Sequence, residues 1–126
     1  MANEIILIVE DNEKNMKLAR DIMQSRGYQV VEAVSAEEGL EKVMDPIPDL
    51  VLMDIQLPGM NGIAALGKLR ENPATQKIPV IAFTASVMPK DHNEIREAGF
   101  DAFISKPINL KEFIATVAAT LAKAKP

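Results

Sequence analysis

The chain has 126 residues, 48% of them hydrophobic and 25% charged, with a formal charge of −4 and no cysteine. That is the size of one ordinary domain, which can bury a core without disulfides or a structural metal. The acidic balance disfavours nucleic acid as a partner, because phosphate neutralisation needs Lys and Arg; no apolar run approaches the ~20 residues that span a bilayer; and the start Met1-Ala2-Asn3-Glu4 lacks the basic region of a signal peptide. A cytoplasmic protein without membrane insertion is expected.

Ile5-Ile6-Leu7-Ile8-Val9 is a short continuous apolar run, the pattern of a strand buried on both faces. Asn12 is placed to cap a helix on which Met16, Ala19, Ile22 and Met23 recur at helical spacing, and Gly27 stops it. Residues 28–34 predict a second strand, less apolar and so nearer an edge. Ser35-Ala36-Glu37-Glu38 is a capping box that opens a helix carrying Leu40, Val43 and Met44, which Pro46 and Pro48 end. Leu50-Val51-Leu52-Met53 predicts a third buried strand ending at Asp54. After a loop over 56–62, Ile63, Leu66 and Leu69 mark a helix that Pro73 closes. Residues 78–83 predict a fourth strand with Pro79, which lacks an N–H, at its start. Pro89 suits the first turn of a helix carrying Ile95 and Ala98 and stopped by Gly99. Ala102-Phe103-Ile104 predicts a fifth strand. Asn109 with Glu112 resembles a capping pair, and Leu110, Phe113, Ile114, Val117, Ala118 and Leu121 form a broad apolar stripe on the last helix. The tail 122–126 reads as a fraying helix end.

Strand followed by helix, repeated along the whole chain, predicts an α/β domain. Its core is a single doubly wound five-stranded parallel sheet with right-handed crossovers and helices on both faces. In such a sheet ligands bind outside the carboxyl ends of the strands. The first strand ends in Glu10-Asp11, the third in Asp54, the fourth in Thr84 and the fifth in Ser105-Lys106-Pro107. Three carboxylates, a hydroxyl and an ammonium therefore gather on one rim. Clustered carboxylates repel one another and favour a hard cation such as Mg²⁺, which takes oxygen ligands and often shares coordination with a phosphate. Thr84 and Lys106 can hold an anionic group beside it, and a carboxylate can itself be the nucleophile that forms an aspartyl phosphate.

Each of these residues alone has an ordinary explanation. Asp11 or Asn12 could simply cap the first helix, Thr84 could bond to backbone, and Lys106 could be a snorkelling surface charge. Their joint occurrence at four strand ends is what points to a site. Met53, Met60 and Met88 read as packing residues. His92 has no second His or Cys for metal or triad work, and the glycines of Pro58-Gly59-Met60-Asn61-Gly62 form no phosphate-binding fingerprint.

Four segments together resemble the bacterial response-regulator receiver domain. They are Leu7-Ile8-Val9-Glu10-Asp11-Asn12, the stretch from Asp49-Leu50-Val51-Leu52-Met53-Asp54 through Ile55-Gln56-Leu57-Pro58-Gly59-Met60-Asn61-Gly62, Ile81-Ala82-Phe83-Thr84-Ala85, and Phe103-Ile104-Ser105-Lys106-Pro107. The resemblance covers essentially the whole chain, so residues 1–126 are expected to be one receiver domain with no effector domain. It implies a flavodoxin-like strand order 2-1-3-4-5. Within the family the likeness leans toward single-domain regulators of cell division and polar differentiation, through Val9-Glu10-Asp11-Asn12-Glu13-Lys14-Asn15-Met16-Lys17-Leu18 and Met53-Asp54-Ile55-Gln56-Leu57-Pro58.

The resemblance implies residue roles. Asp54 matches the phosphoacceptor. Glu10 and Asp11 match the acidic pair, and with Asp54 and the Gln56 backbone carbonyl they would hold Mg²⁺, with Mn²⁺ as a substitute. Thr84 and Lys106 match the pair that reads the phosphoryl group, and Phe103 the aromatic switch position. Pro107 matches a proline that follows a cis peptide bond, and Gln56 and Ser86 sit where the family tunes phosphoryl lifetime. The implied function is a stand-alone response regulator of a two-component phosphorelay, with slow self-dephosphorylation at most. Its partners would be a sensor histidine kinase or histidine phosphotransfer protein and a downstream protein bound through the face made by the fourth helix, fifth strand and last helix. Partners could recruit it to a cell pole. Two other readings stand beside this one. A metal-dependent phosphatase-like enzyme would need a second acid close after Asp54, where Gln56 offers only an amide. The other is a binding module that is never phosphorylated.

Overall fold

The computed structural model describes residues 4–44, 47–57, 59–85 and 89–124. The expectations placed on Met1-Ala2-Asn3, Pro46, Pro58, Ser86, Met88, the side chain of His92 and the last residues of the tail fall outside the described part. Along the chain lie β1 (Ile5–Val9), α1 (Glu13–Ser25), β2 (Gln29–Ala33), α2 (Ala36–Lys42) and β3 (Leu50–Asp54). Then come α3 (Gly62–Glu71), β4 (Val80–Thr84), α4 (Pro89–Ala98), β5 (Ala102–Ser105) and α5 (Leu110–Ala124). The strands form one parallel sheet in the order β2-β1-β3-β4-β5, the doubly wound arrangement expected.

Alternation along each strand divides the core between the two faces. Ile6, Ile8, Leu50, Leu52, Ile81, Phe83 and Ile104 pack under α1 and α5 against Met16, Met23, Phe113 and Val117. Leu7, Val9, Val51, Met53, Val80 and Ala82 face the other way, against Ala36, Ala65, Leu66 and Ile95 of α2, α3 and α4. Burying each large apolar side chain stabilises the fold by roughly 1.5–3 kcal/mol. β1, β3 and β4 are therefore held firmly in register, and their carboxyl ends become fixed points.

Several boundaries differ from the apolar pattern, and the hydrogen bonds show why. β2 is shorter than residues 28–34: Tyr28 N donates to Met23 O and closes α1, while Val34 N donates to the Glu38 side chain at 2.7 Å. Glu38 in turn receives its own cap, with Glu38 N donating to Ser35 Oγ at 3.1 Å. The reach-back of the capping box thus lands one residue before the cap. β4 starts at Val80 because Ile78 N is spent on Thr75 O and Pro79 has none to give, although Pro79 O accepts from Val51 N. On α5 the buried stripe is narrower than expected. Phe113, Val117 and Leu121 are buried, but Leu110 is 55% exposed and Ala118 is exposed too. Thr120 joins the buried face instead, its hydroxyl donating to Thr116 O at 2.7 Å. Asn12, Asn61 and Asn109 each cap the helix that follows by accepting from a backbone N–H.

Candidate functional site

The rim at the carboxyl ends of β1, β3, β4 and β5 brings the predicted residues together. Glu10 follows β1 directly, and its N–H extends the ladder to Ala33 O at 3.0 Å. The side chain turns inward and is only 2% exposed. Its Oε2 accepts from Asn12 N at 3.1 Å, at the start of α1. Asp11 is exposed at the mouth. Asp54 is the last residue of β3 and 3% exposed, because β1 and β4 flank it on either side. Asp54 Oδ1 accepts from Gln56 N at 2.9 Å and Oδ2 from Lys106 Nζ at 3.0 Å.

Lys106 reaches this point from beyond β5. Its backbone N donates to Thr84 O at 2.8 Å, which ties the ends of β4 and β5 together. The Lys106–Pro107 peptide bond is cis. The ammonium sits between the two acids, 3.0 Å from Asp54 Oδ2 and 3.0 Å from Glu10 Oε1. Only the approach to Asp54 has hydrogen-bond direction. Glu10 Oε1 remains a buried oxygen with an ion-pair neighbour but no hydrogen bond. Thr84 is buried at the end of β4, one step beyond Phe83, the register partner of Asp54. Phe103 is half-buried on β5 against the α2–α4 side of the core.

The electrostatics follow from this crowding. Burial, then the neighbouring Asp54 carboxyl, push Glu10 up to about 7, against the pull of Lys106 and the Asn12 N–H. Burial alone would lower Lys106, but its hydrogen bond to Asp54 and its ion pairs with Asp54 and Glu10 outweigh that and hold it above the usual value. One oxygen from each of Glu10, Asp11 and Asp54 lies within 4.8 Å of the others. Among the described residues the Lys106 ammonium pairs with two of these carboxylates, Glu10 and Asp54, the third stands beside them, and one buried oxygen lacks a hydrogen-bond donor. A hard divalent cation with oxygen ligands fits that donor set.

Two glycines shape the loop beyond Asp54, and the sequence pattern did not reveal either role. Gly62 N donates to Ile55 O at 3.1 Å and closes the loop. A Cβ on Gly62 would fall 2.5 Å from Asp54 O and 2.9 Å from Ile55 Cα, so the start of α3 lies against the backbone of Asp54. Gly59 takes a left-handed conformation, φ +75°.

Comparison with known proteins agrees with this geometry. The family model described as the response regulator receiver domain matches residues 6–118. The polar-differentiation response regulator DivK of Brucella ovis is 44% identical over 119 residues, covering 94% of this chain and 97% of the relative. Its counterpart in Brucella anthropi is 43% identical over the same span. Among solved structures, the signal receiver domain of a signal transduction histidine kinase from Syntrophus aciditrophicus superposes with a TM-score of 0.88 at 31% identity, covering 97% of this chain and 92% of that one. The receiver domain of sensor histidine kinase PA1611 from Pseudomonas aeruginosa superposes with a TM-score of 0.88 at 26% identity, covering 96% and 99%. That protein carries a magnesium ion coordinated in its active site cleft.

Proposed function

The chain belongs to the response regulator receiver family, a family of signalling domains rather than of enzymes, and from that premise we propose that it is a phospho-accepting switch of a two-component phosphorelay in which Asp54 takes the phosphoryl group. The observation that carries this reading is the state of Asp54. It is a buried carboxylate at the end of a central strand, held by Lys106 at 3.0 Å and crowded by Glu10 and Asp11.

Glu10, Asp11, Asp54 and the Gln56 backbone carbonyl are the residues that would hold Mg²⁺. Bound there, the ion supplies charge neutralisation for the transferred phosphoryl oxygens. The rest falls to the chain. An oxygen of Asp54 attacks phosphorus, the P–N bond of a phosphohistidine breaks, and the imidazole leaves with the electron pair and takes up a proton. Gln56 N and Lys106 Nζ already bond to the two oxygens of Asp54, so they fix the angle at which the carboxylate meets its donor. After transfer, Lys106 and the Thr84 hydroxyl turn to the new phosphoryl oxygens. Thr84 moving inward leaves space that Phe103 fills, and the surface made by α4, β5 and α5 changes with it.

By likeness to DivK, the reading extends to a cytoplasmic single-domain regulator that takes its phosphoryl group from a histidine kinase or histidine phosphotransfer protein. It would act by binding downstream proteins of cell division or polar differentiation. No helix among the described residues is long and apolar enough to cross a membrane. The test is phosphotransfer from a ³²P-phosphohistidine donor, with and without Mg²⁺. Label should appear only with Mg²⁺ and vanish in Asp54→Asn; Mg²⁺-independent labelling would sink the proposal.

A further inference from the structure

The loop from β3 to α3 leaves the rim at Asp54 and carries the Gln56 carbonyl. Two of its fastenings are internal: Gln56 N to Asp54 Oδ1, and Gly62 N to Ile55 O. A third comes from another element. Glu37, in the first turn of α2, accepts a hydrogen bond from Met60 N through Oε2 at 3.4 Å. The same oxygen lies 3.2 Å from where a Cβ on Gly59 would be. The carboxylate thus occupies the space that a side chain at position 59 would claim. The left-handed turn at Gly59, φ +75°, brings the loop under it. Among the described residues Glu37 forms no ion pair, and it is exposed, so its contact with the loop is not a by-product of core packing.

We propose that Glu37 is a positioning residue that latches the β3–α3 loop at Met60 and so fixes the place of the Gln56 carbonyl at the rim. This rests on the divalent-cation reading of the rim. A carbonyl on a fastened loop is already in place when the cation arrives, whereas one on a loose loop must first be ordered, which weakens binding. A rival physical cause is the charge of Glu37, which attracts a cation at any distance within the screening length. The two are separable, because Gln keeps an acceptor oxygen and loses the charge.

The experiment compares the parent with Glu37→Ala and Glu37→Gln, reading Mg²⁺ affinity by titration and Met60 amide exchange by NMR, the latter also without metal. Glu37→Ala should weaken Mg²⁺ binding about threefold, the scale of one exposed hydrogen bond, and should speed Met60 exchange. Glu37→Gln should restore both to near the parent. The inference is overturned if Glu37→Ala leaves Met60 exchange unchanged, or if Gln falls as far as Ala in affinity, which would assign the effect to charge. If the parent itself fails to bind Mg²⁺, the cation reading fails, while Met60 exchange still reports on the latch.

Discussion

With no metal at the rim, the stability of this protein should depend on pH through Glu10. Its carboxyl is raised from an ordinary 4.5 to about 7, by burial first and the Asp54 carboxyl second. Below about pH 4.5 Glu10 is protonated in both folded and unfolded chains, and the stability it contributes is fully present. As pH rises the unfolded chain loses that proton first. Stability therefore falls across the window from about 4.5 to about 7 and then levels off. At about 1.4 kcal/mol per pH unit the full shift would be worth some 3 kcal/mol, and solvent at the open mouth of the rim reduces this to roughly 1–2 kcal/mol. The groups facing Glu10 are Asp54, Asp11 and the Lys106 ammonium. The assay is urea unfolding in chelator across that window, for the parent and for Glu10→Gln. The difference between the two should shrink toward low pH and reach its full size near neutrality, with the Gln variant the more stable. Saturating Mg²⁺ should remove the trend from the parent. A parent-minus-variant difference that is flat with pH would refute the reasoning.

Mg²⁺ should stabilise the parent by mass action, about 2.7 kcal/mol at a hundredfold excess over Kd, and Asp11→Ala should abolish most of the gain in a thermal melt. Gly62→Ala should cost about 1–3 kcal/mol in urea unfolding, because its Cβ would meet Asp54 O at 2.5 Å and neither backbone segment can give way; an unchanged midpoint would contradict that packing. Thr84→Ala and Lys106→Ala should still accept phosphate but fail to convert it into partner binding. A pull-down in which Thr84→Ala responds to phosphorylation as the parent does would remove the switch while leaving the site.

The sequence made the sheet legible wherever strands are buried on both faces. Ile5-Ile6-Leu7-Ile8-Val9 and Leu50-Val51-Leu52-Met53 could be little else, and their parallel order set Glu10, Asp11, Asp54, Thr84 and Lys106 on one rim. Strand ends were less legible, because they depend on which backbone group is already engaged. Tyr28 N is taken by Met23, Val34 N by Glu38, and the apolar pattern carries no trace of either bond. The stripe on α5 looked broad because Leu110 and Ala118 are apolar, yet Phe113, Val117 and Leu121 are its buried apolar residues, with Ile114 partly buried beside them, while Leu110 and Ala118 are exposed. At the site, residue types announced the acids and the lysine. That Lys106 would sit between Glu10 and Asp54, leaving one Glu10 oxygen without a hydrogen bond, depends on side-chain geometry across three strand ends. Asn61 as the cap of α3 was available to sequence reasoning, since Asn before an apolar helix is a common start. The lack of room at Gly62 and the reach of Glu37 to Met60 were not, because the first depends on how the loop closes back on Asp54 and the second is a contact between segments far apart in the chain.

Asp54 is the one carboxylate proposed to receive the phosphoryl group. Incubation with a small acyl phosphate and Mg²⁺, followed by intact-mass measurement and hydroxylamine treatment, tests it most directly. The parent should gain about 80 Da, one phosphoryl group on a carboxylate, and lose it to hydroxylamine, while Asp54→Asn should gain nothing. An Asp54→Asn protein that takes up a hydroxylamine-labile phosphoryl group at the parent's level would contradict the assignment.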